Sequence, residues 1–260
     1  MGSEMCIRDR YQMIRQSGMD QINIDVMAAI PEQTLESYQD TLEKIVSLNP
    51  EHISSYSLII EPGTVFGDWE KNGTLKHVDE DVDRQMYEWT GKYLQHMGYQ
   101  RYEISNYCRD GMECRHNCVY WSGGEYLGLG VNASSYLTGY RFHVPVSQKT
   151  YRSYVDRICV LAEKESEGLK KAVQEMDELE FIDRRAQMEE FMFLGLRMMA
   201  GVSEQEFYQR FGISMMEVYG DIIKKYQNMD LLCRRDTGRV ALTEKGIDVS
   251  NSILSDFLLN

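Results

Sequence analysis

Ile22-Asn23-Ile24-Asp25-Val26-Met27 is the stretch from which the fold is read. Branched apolar residues fall on every second position, the period of a strand with one buried face. Pro31 punctuates the exit. Thr34 is placed to cap a helix, and Tyr38, Leu42, Ile45 and Val46 recur at helical spacing from Ser37 to Leu48. Pro50 ends that helix, and His52 to Ile60 reads as the next strand. Strand, crossover helix and strand within about 40 residues predict a parallel α/β unit.

Working outward, Tyr11 to Gly18 fits the last turns of a helix closed by Gly18. Residues 1–10 show no period and no turn signal. They read as a non-native N-terminal artefact, such as a translated sequencing adapter, and carry no fold expectation. On the other side, a loop runs from Glu61 to Asn72-Gly73. Asp79 to Met97 is a long helix closed by Gly98, and Tyr99 to Ser105 alternates as a third strand ending in Asn106-Tyr107. Ser134 to Phe142 reads as a hairpin around Gly139. Past Pro145 the pattern turns helical, with helices expected at Thr150–Lys164 and Asp183–Met199 and a charged connection at Glu165–Asp177. The Met and aromatic stripes of Asp183–Met199 read as core. Ser203 caps a short helix, with Glu206 placed for a capping box, and Ser214 starts another. A hairpin around Asp236-Thr237-Gly238 and a last helix after Thr243 complete a helix, helix, hairpin, helix order that resembles a winged-helix module. The expected domains are 11–145 and 146–260.

The 260 residues are 43% hydrophobic and 27% charged, ordinary globular composition. A net charge of −13 argues against nucleic acid, because phosphate binding needs a basic face. The winged-helix-like part has no basic recognition helix, so it reads as a packing domain. No apolar run approaches the roughly 20 residues of a transmembrane segment. Six irregularly spaced Cys read as reduced thiols of a cytoplasmic protein rather than a disulfide framework.

Ligand-capable side chains concentrate in Glu113-Cys114-Arg115-His116-Asn117-Cys118-Val119-Tyr120-Trp121. Cys114-x3-Cys118 lacks the second pair that a structural zinc site needs. His116 suits a haem or metal axial ligand, since imidazole binds haem iron and an Asn neighbour can orient it; the alternative is a hydrogen-bonded loop histidine. Asp25 lies on a buried-looking strand, where a carboxylate is costly unless paired or used. It faces either a ligand at the carboxyl end of the parallel strands or the following loop as a cap. Glu103 is a weaker case of the same kind, and the remaining histidines sit among surface-like residues. Gly123-Gly124 and Gly128-x-Gly130 match no phosphate-binding fingerprint and read as tight turns or close backbone approach.

Several segments together resemble the HemW haem chaperone family, radical S-adenosylmethionine (SAM) proteins near the oxygen-independent coproporphyrinogen III oxidases. They are Asn23-Ile24-Asp25-Val26-Met27 with Ile30-Pro31-Glu32-Gln33-Thr34; Pro50 to Thr64; Tyr102 to Tyr107; Glu113 to Asn117 with Tyr120-Trp121; and Tyr126-Leu127-Gly128-Leu129-Gly130. Glu190-Phe191-Met192 through Gly201-Val202, and Leu242 to Gly246, resemble the family's C-terminal domain. The resemblance implies an α/β fold, the C-terminal part of an incomplete (β/α) radical SAM barrel followed by a small helical winged-helix-like domain. It implies haem binding by His116, Asn117 and Tyr120 of an H-N-x-x-Y motif, and a SAM pocket lined at Asp25 and Ile59.

The family's C-x3-C-x2-C triplet, whose thiolates hold a [4Fe-4S] cluster, has no counterpart here, and Trp121 stands where Cys114-x3-Cys118 would need a third Cys. Ala29 stands where the family usually has Gly, and Ser134 near where many members have His. The resemblance therefore implies a fragment: a parent with cluster and SAM that hands haem to an acceptor protein, and a chain without cluster chemistry of its own. The rival expectations are a parent coproporphyrinogen III oxidase in porphyrin biosynthesis and a cluster-free interaction module. A fragment also implies that the strand at Ile22–Met27 lies at an open, apolar sheet edge.

Overall fold

Asn23–Ala28 forms strand β1 and His52–Ser57 strand β2, paired in parallel from Asn23 opposite His52 to Ala28 opposite Ser57. The computed structural model describes residues 2–144, 151–156, 159 and 179–259. It divides into two compact units, Met1–Cys114 and Arg115–Asn260. The H-N-x-x-Y segment, expected with the first domain, falls in the second unit.

In the first unit, helix α1 spans Gly2–Gln16, which takes in most of the periodless N-terminal residues. After Gly2 the segment holds no helix breaker, and Arg15 anchors it by donating to both carboxylate oxygens of Glu51 at 2.6 Å. Helix α2 (Leu35–Ser47) starts at Thr34, whose hydroxyl accepts from Ser37 N while Ser37 Oγ accepts from Thr34 N. It buries Tyr38, Leu42 and Val46 against β1 and β2. Helix α3 (Val65–Lys71), capped by Thr64, forms within the expected loop. Helix α4 (Glu80–His96), capped by Asp79, adds Met86, Thr90 and Leu94 to the same face. The Tyr38 phenol joins the layers, 2.8 Å from Ser55 Oγ and 2.7 Å from Thr90 Oγ1.

The expected third strand is broken. Gln100–Arg101 forms β3, the chain turns at Tyr102–Ser105, and Asn106–Cys108 forms β4 antiparallel to both β2 and β3. Glu103 makes the turn: its carboxylate, fully buried, accepts from Ser105 N at 2.8 Å and from Asn106 Nδ2. The sheet order is β1-β2-β4-β3, which leaves β1 at an edge as expected. β2 also ends sooner than expected, so Leu58, Ile59 and Ile60 lie beyond it.

The second unit begins with helix α5 (Arg115–Trp121). Strands β5 (Ser134–Leu137) and β6 (Tyr140–His143) form the expected hairpin, turning through Thr138 and Gly139 at φ of 53° and 82°. β7 (Glu180–Phe181) extends it. Residues 151–156 are helical; the rest of the helix expected at Thr150–Lys164, apart from Cys159, and the charged connection at Glu165–Asp177 lie outside the described residues.

Helix α6 (Arg184–Gly195) is capped by Asp183. It buries Met192, and Leu196 just beyond is buried too, while Met188, Phe191, Phe193 and Leu194 are half-buried, so the stripe is core on one side only. Next come β8 (Val202–Ser203), α7 (Glu204–Phe211), α8 (Met215–Asn228), β9 (Leu232–Arg235), β10 (Arg239–Leu242), α9 (Glu244–Asp248) and α10 (Ser250–Ser255). The order β8-β10-β9 turns the expected hairpin into a three-stranded antiparallel sheet. Phe191, Phe207, Phe211, Tyr219 and Phe257 pack ring to ring at its core. Two details differ from expectation. Glu206 pairs with Arg239 instead of closing a capping box, and the last helix breaks at Val249.

Candidate functional site

The sequence-predicted site residues fall into two separate constellations, one in each unit. In the first unit, strand alternation sends Val26 and Ala28 into the core and turns Asn23, Asp25 and Met27 to the opposite face. Asp25 is therefore exposed, not buried as its neighbours suggested; both flanking residues point the other way. Ile59, 77% exposed, follows the carboxyl end of β2, where Met27, Ile30 and Tyr56 are also exposed.

Beside Asp25 lies a hydrogen-bonded chain that the sequence did not disclose. Asn23 Nδ2 donates to Asp25 Oδ1 at 2.6 Å. A carboxylate accepts only, so this bond fixes the Asn23 amide and aims its oxygen at His52 Nδ1, 2.7 Å away. Ser54 Oγ donates to the same oxygen at 3.3 Å. His52 Nδ1 must then carry the proton, and His52 Nε2, 2.9 Å from the Tyr102 phenol, accepts from it. His52 is 5% exposed, and burial lowers its pKa against a smaller opposing pull from Asp25. His52, expected among surface-like residues, is instead buried. The signal that identifies it is the register of β1 and β2, which sets His52 and Ser54 opposite Asn23 and Asp25. Glu103, the weaker candidate, is used in the Tyr102–Ser105 turn.

In the second unit, α5 carries His116, Asn117 and Tyr120. His116 and Tyr120, four residues apart, share one helix face. Their rings meet edge to face with centroids 4.7 Å apart. His116 is exposed, while Asn117 and Tyr120 are half-buried. Tyr120 meets Tyr126 edge to face at 4.4 Å, and Tyr126 exchanges two backbone hydrogen bonds of 2.9 Å with Tyr136 on β5. The loop between them exposes Leu127, Leu129 and Val131 by 40%, 77% and 49%. Gly128 packs so closely on Ala133 and Ser134 that a Cβ would clash, which accounts for glycine there by close approach. Cys114 and Cys118 are half-buried. Among the described residues no three His, Cys, Asp or Glu side chains converge as a metal-holding group. No described helix is long and apolar enough to cross a membrane.

Residues 182–249 match the HemN C-terminal domain family. The chain is 33% identical over 258 residues to a protein named Heme chaperone HemW from Lactococcus lactis subsp. lactis (strain IL1403), covering 99% of this chain and 64% of that protein. It is 33% identical over 248 residues to Heme chaperone HemW from Bacillus subtilis (strain 168), covering 95% and 62%. The chain thus spans under two thirds of the length of these relatives. Its fold matches the structure of coproporphyrinogen III oxidase (HemN) from Escherichia coli, a radical SAM enzyme, with a TM-score of 0.70 at 18% identity over 97% of this chain and 58% of that one. The expected α/β fold class is borne out by this match, with the HemN C-terminal domain family matched over the last part of the chain. By sequence this chain is similar to the heme chaperones named HemW, by fold to the HemN structure, and its residues 182–249 match the HemN C-terminal domain family.

Proposed function

We propose that the chain is the haem-handling part of a HemW-type chaperone, binding haem and passing it to an acceptor protein. The observation that carries this reading is the exposed His116 ring, held edge-on by Tyr120 beside a loop that exposes Leu127, Leu129 and Val131. Haem needs a nitrogen ligand for its iron and apolar cover for its macrocycle, and these residues fit both needs. His116 is the axial ligand, Tyr120 sets its ring plane, and Asn117 supplies polar contacts on the adjoining face.

Asp25 and Ile59 are proposed to line a SAM pocket on the open face of β1 and β2. The exposed carboxylate and the apolar residues at the strand ends suit a cationic, amphipathic ligand there. A [4Fe-4S] cluster does not fit the residues present, because the described thiols do not converge on one point and no cysteine triplet of the required spacing exists. Cluster and SAM chemistry therefore belong to the proposed larger protein, in the cytoplasm, and no reaction step is assigned to this chain.

The test is hemin titration followed by the Soret band. His116→Ala should shift the band and weaken binding about tenfold or more, the loss of roughly 1.4 kcal/mol or more. An unchanged band and affinity would remove His116 as ligand.

A further inference from the structure

We infer that Asn23, His52 and Tyr102 are positioning residues for Asp25, and that their hydrogen-bonded chain holds its carboxylate ready for a donor-bearing ligand. The inference rests on the SAM reading of Asp25 and extends it to the residues behind that carboxylate. All four residues lie in the first unit.

Every bond of the chain points one way. The Asp25 carboxylate only accepts, so Asn23 turns Nδ2 to it, at 2.6 Å. Asn23 Oδ1 then faces two donors, His52 Nδ1 at 2.7 Å and Ser54 Oγ at 3.3 Å. His52 Nε2 accepts from the Tyr102 phenol at 2.9 Å. Tyr102, His52 and Asn23 each donate to the next group, and the last acceptor is the carboxylate. Hydrogen bonds aligned head to tail polarise and strengthen one another.

Burial runs in the same direction. Asn23 and Asp25 are exposed, whereas His52, Ser54 and Tyr102 are buried. Two exposed polar side chains ordinarily exchange their mutual bond for bonds to water at little cost. Here the Asn23 amide is clamped from the buried side. Its two donors are set opposite Asn23 and Asp25 by the register of β1 and β2, and the His52 ring meets the Tyr102 ring edge to face with centroids 5.6 Å apart. Asn23 Nδ2 is therefore presented to Asp25 in one place.

Asp25 Oδ1 is used in that bond, and the other oxygen of this exposed side chain is left for a ligand N–H or O–H. A side chain ordered in advance spares the ligand the cost of ordering it, which is about two- to tenfold in affinity. The coupling is reciprocal, so a ligand that draws on Asp25 is felt at His52.

The experiment uses the whole chain with S-adenosylmethionine as the probe, binding followed by calorimetry and His52 by nitrogen-15 NMR. Tyr102→Phe, which keeps the ring and deletes the first donor, and Asn23→Ala, which cuts the chain beside Asp25, should each weaken binding about two- to tenfold. In an Asp25→Asn background neither should weaken it further. The His52 Nδ1 signal should shift on saturation in the native chain and stay in place in Asp25→Asn, a response that a purely structural role for His52 does not give. Native affinity in both variants, equal weakening with and without the Asp25 carboxylate, or a His52 signal that the probe leaves in place overturns the inference, while weaker binding by Asp25→Asn keeps the SAM reading. If the native chain does not bind the probe, or Asp25→Asn binds it as tightly, the SAM reading fails and the inference fails with it. Tyr102→Phe guards against misfolding, since it keeps the ring packed on His52.

Discussion

His52 offers the sharpest test of the first unit. The Asp25–Asn23–His52–Tyr102 chain requires the Nδ1–H tautomer, because Asp25 fixes the Asn23 amide and Asn23 Oδ1 can only accept. Nitrogen-15 NMR of the imidazole should show a protonated Nδ1 and a bare Nε2 across neutral pH. Burial lowers the folded-state pKa below the ordinary 6.5. The sign follows. Well above pH 6.5 both folded and unfolded His52 are mostly neutral, and its contribution to stability is full. As pH falls below 6.5 the unfolded state takes up the proton first, so stability is lost until the folded-state pKa is passed. The slope in that window is at most about 1.4 kcal/mol per pH unit, the value for one proton. His52→Gln does not titrate and should show no such slope. It should also cost about 1–3 kcal/mol at neutral pH, because Asn23 and Tyr102 lose a buried partner. Urea unfolding in a Trp121→Phe background leaves Trp69 and Trp89 to report on the first unit alone. An Nε2–H tautomer, or a native-minus-His52→Gln difference that is flat or rises on acidification, would refute the assignment.

Other perturbations test the frame around the sites. Ala29 sits at φ 56°, a conformation glycine adopts without strain, so Ala29→Gly should stabilise the chain by about 0.5–1 kcal/mol net of glycine's greater unfolded freedom, seen as a higher urea midpoint. Tyr38→Phe removes the phenol shared by Ser55 and Thr90. Thr90 keeps its bond to Met86 O, but buried Ser55 loses its partner, and the expected cost is about 1–3 kcal/mol by denaturant unfolding. Gly246→Ala would drive a Cβ into the Leu231 carbonyl, so calorimetry should show the second unit destabilised by about 1–3 kcal/mol, with hemin affinity unchanged.

Local signals in the chain located local structure. Alternation at Ile22–Met27 and the 3.6-residue stripe of Tyr38, Leu42 and Val46 gave the parallel unit, because periodicity reports which face is buried. Thr34, Asp79, Ser203 and Ser214 gave helix starts, because a cap satisfies its helix from within a few residues. The misses are long-range. Nothing in Tyr99–Ser105 shows that Glu103 folds back on Ser105 and Asn106 to split the strand. His52 carries no local signal, because its partners are 29 and 50 residues away. Glu206 is placed for a local cap, but Arg239, brought in by β10, engages it instead. The H-N-x-x-Y motif was legible, whereas the packing of Tyr126 on Tyr120 was not, since it depends on how the chain after α5 folds back to pair with β5.

The edge strand β1 joins these points. A fragment reading predicted an apolar edge open to pairing, and β1 does lie at the sheet's edge. Yet its two faces differ. Val26 and Ala28 are covered by the helices, while Asn23 and Asp25 on the other face are tied into the His52 chain and only Met27, 37% exposed, is apolar. A carboxylate on an edge strand disfavours pairing with an incoming strand, which would have to desolvate it. The same Asp25 that is proposed to meet a ligand thus also keeps this edge soluble. Its replacement by an apolar residue would expose the flaw of an unpaired edge before it tested the ligand, so Asp25→Asn, which keeps the polarity and removes the charge, is the variant that separates the two roles.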